Sequence, residues 1–163
     1  MATVHLLCGY MGFGKSTIAR RLAAQYGAVI LNDDEFIREL FGRDLPEPEF
    51  SAAHDKVTAF TWKLGERIVC AGGNVIFDRG FWSRKSRSDA VERIRHFCDS
   101  IRFHQIECDM ETAKQRVLNR SKTDADALYI DASTFDELAR FYEPISPDEK
   151  LDVIYYNNTL PLF

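Results

Sequence analysis

A chain of 163 residues, 45% hydrophobic and 28% charged, has the material for one domain with a sizeable core and the make-up of an ordinary soluble globule. Its net charge of −4 argues against a broad nucleic-acid surface, though not against a local basic patch, and no apolar run is long enough to span a bilayer. Residues 1–30 lack a basic segment followed by a long apolar one, so neither a signal peptide nor a membrane anchor is expected. Cys8, Cys70, Cys98 and Cys108 show no C-x-x-C spacing and read as reduced core thiols of a cytoplasmic protein.

The first predicted strand, from Val4, ends at Gly9. Four residues later Gly14-Lys15-Ser16 opens a helix, the G-x-x-x-x-G-K-[ST] spacing of a phosphate-binding loop. Glycine at 9, 12 and 14 lets successive main-chain N–H groups turn inward around an anion, and the helix points its positive dipole end at the same place. The segment Gly9, Tyr10, Met11, Gly12, Phe13, Gly14, Lys15, Ser16 and Thr17 is therefore the expected nucleotide cradle. Within it, Lys15 reaches the β/γ-phosphates and Ser16 ligates Mg²⁺.

Residues 17–26 continue that helix up to Gly27. Val29-Ile30-Leu31 is a short, wholly apolar strand ending at Asn32-Asp33-Asp34, which leads into a helix over 35–41. Pro46 and Pro48 make 42–48 a loop. Phe50, Ala53, Val57, Phe60, Leu64 and Ile68 mark one face of a long helix closing at Gly72-Gly73. Val75-Ile76-Phe77 is a third strand, ending at Asp78, and Ser83 caps the helix whose inner face is Ala90, Val91, Ile94 and Phe97. A fourth strand within 101–107, a helix within 110–120, a polar segment 121–132, a helix from Phe135 to Tyr142 stopped at Pro144, and a strand over 153–156 complete the pattern. Such alternation implies a parallel α/β sheet with helices on both faces, and ligands outside the carboxyl ends of its strands.

Acidic groups follow the second and third strands. Asp34 is either a general base for an acceptor hydroxyl or a helix cap, a part Asp33 can equally play. Arg38, one turn on, is placed to orient an anionic acceptor or to pair with Asp34. Asp78 is expected to hold a Mg²⁺-bound water or the acceptor, because an unpaired carboxylate at the end of an apolar strand is costly. Arg116 and Arg120 share a helix face before the polar segment, where mobile arginines neutralise charge built up on a transferring phosphoryl group; Arg120 is the preferred lid arginine. Arg79, Arg84, Lys85, Arg87, Arg93 and Arg95 make 79–95 basic, for which a solvated helix face is the ordinary outcome. Phe81 and Trp82 are read as exposed aromatics that stack a planar or sugar substrate, Trp62 as facing either cleft or core, and the four histidines as without a catalytic part.

Together these residues resemble the small kinases related to the phosphoryl-transfer domain of polynucleotide 5′-hydroxyl kinases, a group that includes zeta-type toxins and chloramphenicol phosphotransferases. The likeness is carried by Gly9 to Ser16, by Asn32-Asp33-Asp34-Glu35-Phe36-Ile37-Arg38, by Asp78, and by Arg116 and Arg120. It implies one domain over 1–163 with a five-stranded parallel sheet ordered 2-3-1-4-5 and a short lid over about 116–132. It also implies Asp34 activating the acceptor hydroxyl, Arg38 holding that acceptor, Asp78 as the acid ending the third strand, and Arg116 and Arg120 as lid-helix arginines, whereas the aromatic pair Phe81-Trp82 is not a shared signature of the group. Segment 121–132 holds Lys122 but no arginine, so this lid is less basic than in many relatives. The base-reading Asn-Lys-x-Asp stretch of GTPases is absent from the sequence, which points to ATP with Mg²⁺. The expected activity is transfer of the γ-phosphate of ATP to a hydroxyl of a small molecule. The alternatives are a polynucleotide 5′-hydroxyl or nucleotide-sugar kinase, with nucleic acid the less favoured acceptor, and a non-catalytic nucleotide switch or simple ATPase.

Overall fold

A computed structural model describes residues 1–42, 45–125, 127 and 129–159. Five strands, β1 (Val4–Cys8), β2 (Ala28–Leu31), β3 (Asn74–Gly80), β4 (Ile101–Glu107) and β5 (Val153–Asn157), pair in parallel in the order β2-β3-β1-β4-β5. This is the order implied by the resemblance. Every residue of the central β1 is buried, His5 included, as in a mostly apolar strand covered on both faces.

Alternation along the strands divides the interior in two. Leu6, Cys8, Phe77 and Phe103 face α3 (Glu49–Cys70) and α4 (Arg84–Ile94), where they meet Val69, Ala90 and Ile94. Leu7, Ile76 and Ile106 face the other way, against Ile18 and Leu22 of α1 (Lys15–Tyr26), Ala113 and Val117 of α5 (Met110–Thr123) and Phe135 of α6 (Ala132–Ala139). The remaining helix, α2 (Asp33–Phe41), packs beside α3. Gly65 has its reason here: a Cβ would collide with the Phe77 ring, so α3 lies closer to β3 than any other residue permits.

Local chemistry sets the ends of the elements. The Asn32 side chain accepts a 3.0 Å hydrogen bond from the Glu35 N–H, so the capping part expected of Asp33 or Asp34 belongs to Asn32 and α2 starts at Asp33. Ser83 caps α4 in a reciprocal box with Ser86, while Asp109 and Asp131 cap α5 and α6. β3 runs past Asp78 to Gly80, and α5 runs past 120 to Thr123.

Two expectations are overturned. Phe81 is buried in the core with 7% of its surface exposed, because Gly80 at φ 90 and Phe81 itself at φ 41 turn the chain back on leaving β3; it is not an exposed substrate-stacking aromatic. Nor is the basic stretch a solvated face throughout: Arg84, Lys85, Arg93 and Arg95 are exposed as expected, but Arg79 and Arg87 turn inward. The Arg87 side chain is 1% exposed, makes a two-point ion pair with Glu149 (2.7 and 2.8 Å), and donates to the carbonyls of Phe81 at 3.0 Å and Glu143 at 2.8 Å. Trp62 settles on the core side, its ring 4.3 Å from that of Phe77. Among the described residues no helix is long and apolar enough to cross a membrane.

Candidate active site

The cleft opens at the carboxyl ends of β1, β2 and β3, where the strand-end rule for open parallel sheets puts a ligand. The loop between β1 and α1 is clamped from three sides. A Cβ on Gly12 (φ 76) would run into the Ala113 carbonyl of α5, and one on Gly14 (φ 92) into the Asn158 side-chain amide. Asn158 Nδ2 donates to the Phe13 carbonyl at 2.8 Å, and Trp82 Nε1 donates to the Gly9 carbonyl at 3.1 Å. Tyr10 and Phe13 are buried, and the Tyr10 hydroxyl donates to the Phe135 carbonyl at 2.5 Å. These two side chains therefore fasten the loop from behind and leave its main chain toward the cleft. Trp82 lines the cleft, but its N–H is spent on the loop and its ring lies 4.9 Å from that of Tyr10.

Lys15 opens α1 with Nζ donating to the Tyr10 carbonyl at 2.9 Å. Burial pulls its ammonium pKa below the usual value; Asp78 and Asp34 act against that, and the Arg120 charge adds to it. A cation desolvated in this way gains from an anion brought beside it, as a phosphate would be. Ser16 Oγ donates to Asp78 Oδ2 at 3.1 Å, and Asn32 Nδ2 donates to the same oxygen at 3.1 Å. One hydroxyl and one carboxylate at the edge of a phosphate cradle suit Mg²⁺, which keeps several waters and takes few protein ligands. Among the described residues no cluster of three or more His, Cys, Asp or Glu forms a separate metal cage.

Two overlapping lobes of about 840 and 850 Å³ make up the cleft. Both are lined by Ser16, Asp34 and Arg120, so the phosphate loop, the acidic end of β2 and the arginine of α5 share one space. Met11 and Thr17 lie on the loop side, and Arg38 lies on the far side beyond Asp34. Asp34 is exposed to the open cleft yet ringed by charged protein groups. Burial raises its carboxyl above the ordinary aspartate value, Asp33 and Asp78 push the same way, and His54 and Lys15 pull it down. Arg116 sits on the loop side of α5, where it donates to the carbonyls of Gly12 at 3.3 Å and Asn158 at 2.9 Å.

Asp33 and Asp34 part company. Asp33, 4% exposed, turns inward to an ion pair with Arg79 (2.8 Å) and accepts from Thr58 at 2.8 Å and Thr61 at 2.7 Å. Sequence reasoning left this pair unpaired, and it gave no part to Arg20, Phe50, His54 or Asn158. Arg20 lies one helical turn beyond Ser16 and on its face, a spacing that announces it; Phe50 and His54, also one turn apart, line the cleft from α3. Asn158 follows the last strand and carries no local signal.

Comparison with known proteins agrees with this architecture. The chain is 27% identical over 123 residues to shikimate kinase of Rhodopseudomonas palustris (strain ATCC BAA-98 / CGA009), the alignment covering 71% of this chain and 55% of that protein. It thus spans about half the length of the curated relative it matches. Among solved structures, a candidate kinase from Chloroflexus aurantiacus J-10-fl superposes with a TM-score of 0.78 at 14% identity, over 98% of this chain and 90% of that one. A chain of the Pnkp1/Rnl/Hen1 RNA repair complex superposes at 0.72 and 24% identity, over 86% and 43%. At these identities the likeness is one of fold. Residues 4–145 match the family model described as an AAA domain, and the chain belongs to that family, with the cradle and sheet order of the P-loop kinases.

Proposed function

We propose that this protein is an ATP-dependent phosphotransferase that moves the γ-phosphate of ATP to a hydroxyl of a small molecule, with Asp34 as general base. The observation that carries the reading is the shared cleft: Asp34, Ser16 and Arg120 line the same space, with Lys15 at its floor. The P-loop amides and Lys15 hold the β- and γ-phosphates. Ser16, and Asp78 through a water, would hold Mg²⁺, which would neutralise phosphate charge there. Asp34 takes the proton of the acceptor hydroxyl, and that oxygen forms the new bond to the γ-phosphorus. The bond from phosphorus to the β,γ-bridging oxygen breaks, and its electron pair leaves with ADP. Arg120 meets the negative charge spread over the moving phosphoryl oxygens, with Arg116 beside the loop.

A raised Asp34 pKa suits a base, because the carboxylate binds a proton more readily than an ordinary aspartate does. The match to shikimate kinase favours a small hydroxylated acceptor. A long polynucleotide is the less favoured acceptor on charge. Of the cations in 79–95, Arg79 and Arg87 are consumed in buried ion pairs, and Arg84 and Lys85 are paired with Asp148 and Asp89, which leaves no unbroken basic track for a phosphate backbone. Arg38 and Trp82 remain the side chains proposed to bound the acceptor.

The test is transfer of label from [γ-³²P]ATP with Mg²⁺ to a panel containing shikimate, gluconate, other hydroxylated metabolites and a 5′-hydroxyl oligonucleotide. Transfer to a small alcohol supports the reading, and transfer to the oligonucleotide alone refutes its acceptor class. Asp34→Asn should lower turnover of the best acceptor by roughly 10²–10⁴-fold. If turnover survives that change, Asp34 is not the base.

A further inference from the structure

Behind Asp34 a buried polar cluster joins the end of β3 to the helices on the acceptor side. Arg79 Nε lies 2.8 Å from Asp33 Oδ2, and Nη2 donates to Asp33 Oδ1 at 3.2 Å and to Thr61 Oγ1. Thr58 and Thr61 complete the set with 2.8 and 2.7 Å hydrogen bonds to the two carboxylate oxygens. The guanidinium lies against two neighbouring rings, 4.4 Å from the centroid of Trp62 and 4.7 Å from that of Phe77. With 11% and 6% of their side chains exposed, Arg79 and Asp33 are nearly out of water. A buried ion pair of this kind adds little net stability over a well-packed apolar pair, but it fixes geometry strictly, because a displaced partner leaves a bare charge inside.

What it fixes is the start of α2. Successive residues of a helix point about 100° apart, so locking Asp33 inward sends Asp34 out into the cleft. The neighbour on the other side is tied as well, since the Asn32 amide donates to Asp78 and caps Glu35. Asp78 and Arg79 are consecutive on β3 and project to opposite sides. Asp78 grips Ser16 and Asn32 on the donor side, and Arg79 grips Asp33 on the acceptor side. One strand end therefore sets the separation between the phosphate cradle and the Asp34 carboxylate.

We propose that Arg79 is a positioning residue for phosphoryl transfer: through Asp33 it holds Asp34 in register with the γ-phosphate without touching either substrate. The proposal rests on the reading of Asp34 as base. Its test compares wild type with Arg79→Met, which keeps the length and the apolar stacking but drops the charge, and with Arg79→Lys, which restores a charge. Asp34→Asn serves as the reference. Three quantities are read: affinity for Mg·ADP, affinity for Mg·ADP·aluminium fluoride, where water stands in for the acceptor hydroxyl, and hydrogen exchange of the α2 amides.

Arg79→Met should leave Mg·ADP affinity within about twofold. It should weaken the transition-state complex by about 100-fold, the cost of an ångström-scale misplacement, and speed exchange in the first turns of α2 by tenfold or more. Arg79→Lys should recover part of both losses. If Asp34→Asn weakens the fluoride complex while Arg79→Met leaves it and the α2 exchange unchanged, the positioning role is wrong and the base assignment stands. If Asp34→Asn leaves that complex intact, the base reading itself falls, and the Arg79 proposal falls with it. Should Arg79→Met fail to fold, Thr61→Val removes one donor and keeps the ion pair. It should weaken the fluoride complex several-fold with Mg·ADP affinity held, and a null result there overturns the proposal equally.

Discussion

His5 on β1 and His104 on β4 make stability depend on pH in a window that few other groups share. Both are buried, with Nδ1 of His5 2.9 Å from Nε2 of His104, and Nδ1 of His104 2.9 Å from the Tyr156 hydroxyl. Tyr26 stacks on His5 at 4.8 Å. Burial, followed by the Arg102 charge, lowers His5 to about 4; burial, then His5 and Arg102, lowers His104 to about 4. The ring-to-ring bond also needs one N–H and one lone pair, so charging both rings would set two N–H groups against each other. Between pH 6.5 and 4 the unfolded chain accepts protons that the folded chain refuses. This contribution is thus fully present above pH 6.5 and is lost as pH falls toward 4. At pH 5, a folded value of about 4 against 6.5 unfolded costs about 2 kcal/mol per ring, hence about 4 kcal/mol for the pair, out of a total of roughly 5–15 kcal/mol. Carboxylates held low by partners, such as Glu149, lose their contribution at lower pH, and Asp34, raised by burial, acts in the opposite sense. The assay is urea unfolding at pH 7.5, 6 and 5 for wild type and for the double variant His5→Leu/His104→Leu, which replaces both partners with apolar groups of similar volume. Wild type should lose about 4 kcal/mol more than the double variant between pH 7.5 and 5. Equal losses would refute the argument.

Arg87→Met should destabilise the fold by about 3–5 kcal/mol in the same assay, because it strands the Glu149 carboxylate and two carbonyls in the interior; a loss below about 1 kcal/mol would mean that water reaches the site. Gly12→Ala should abolish binding of a fluorescent ATP analogue, since the Cβ meets the Ala113 carbonyl at a φ of 76; binding at wild-type strength would show that α5 yields. Turnover of the best acceptor should fall as pH drops through the Asp34 pKa, and the fall should begin above the ordinary aspartate range because burial raises that pKa. An acid limb at or below that range would contradict the crowding described around Asp34.

The parts of this molecule that were legible in its sequence are those whose cause is local. Gly9 to Ser16 is a motif because a phosphate cradle needs its residues within one loop, and the inner strands β1 and β3 declare themselves because burial on both faces leaves little room for alternation, whereas β2 at the sheet edge leaves Val29 exposed. Direction is a different matter. Asp33 and Asp34 are chemically identical and adjacent, so composition cannot divide them. The division comes from Asn32 taking the cap, which starts the helix one residue earlier than an aspartate cap at 33 would and so decides which carboxylate points to the cleft and which to α3. Phe81 and Trp82 are adjacent in the same way, and the turn after Gly80 buries one ring while leaving the other along the cleft wall. The cations were hardest to place. Arg79 finds Asp33 across 46 positions and Arg87 finds Glu149 across 62, contacts that only the completed sheet brings together. A basic stretch in a sequence is therefore evidence of a surface patch only after its buried partners are known. Here Arg79 and Arg87 meet their acidic partners inside the fold, whereas Arg84, paired with Asp148 across 64 positions, stays at the surface, and Arg79 comes to lie behind the carboxylate on which the proposed chemistry depends.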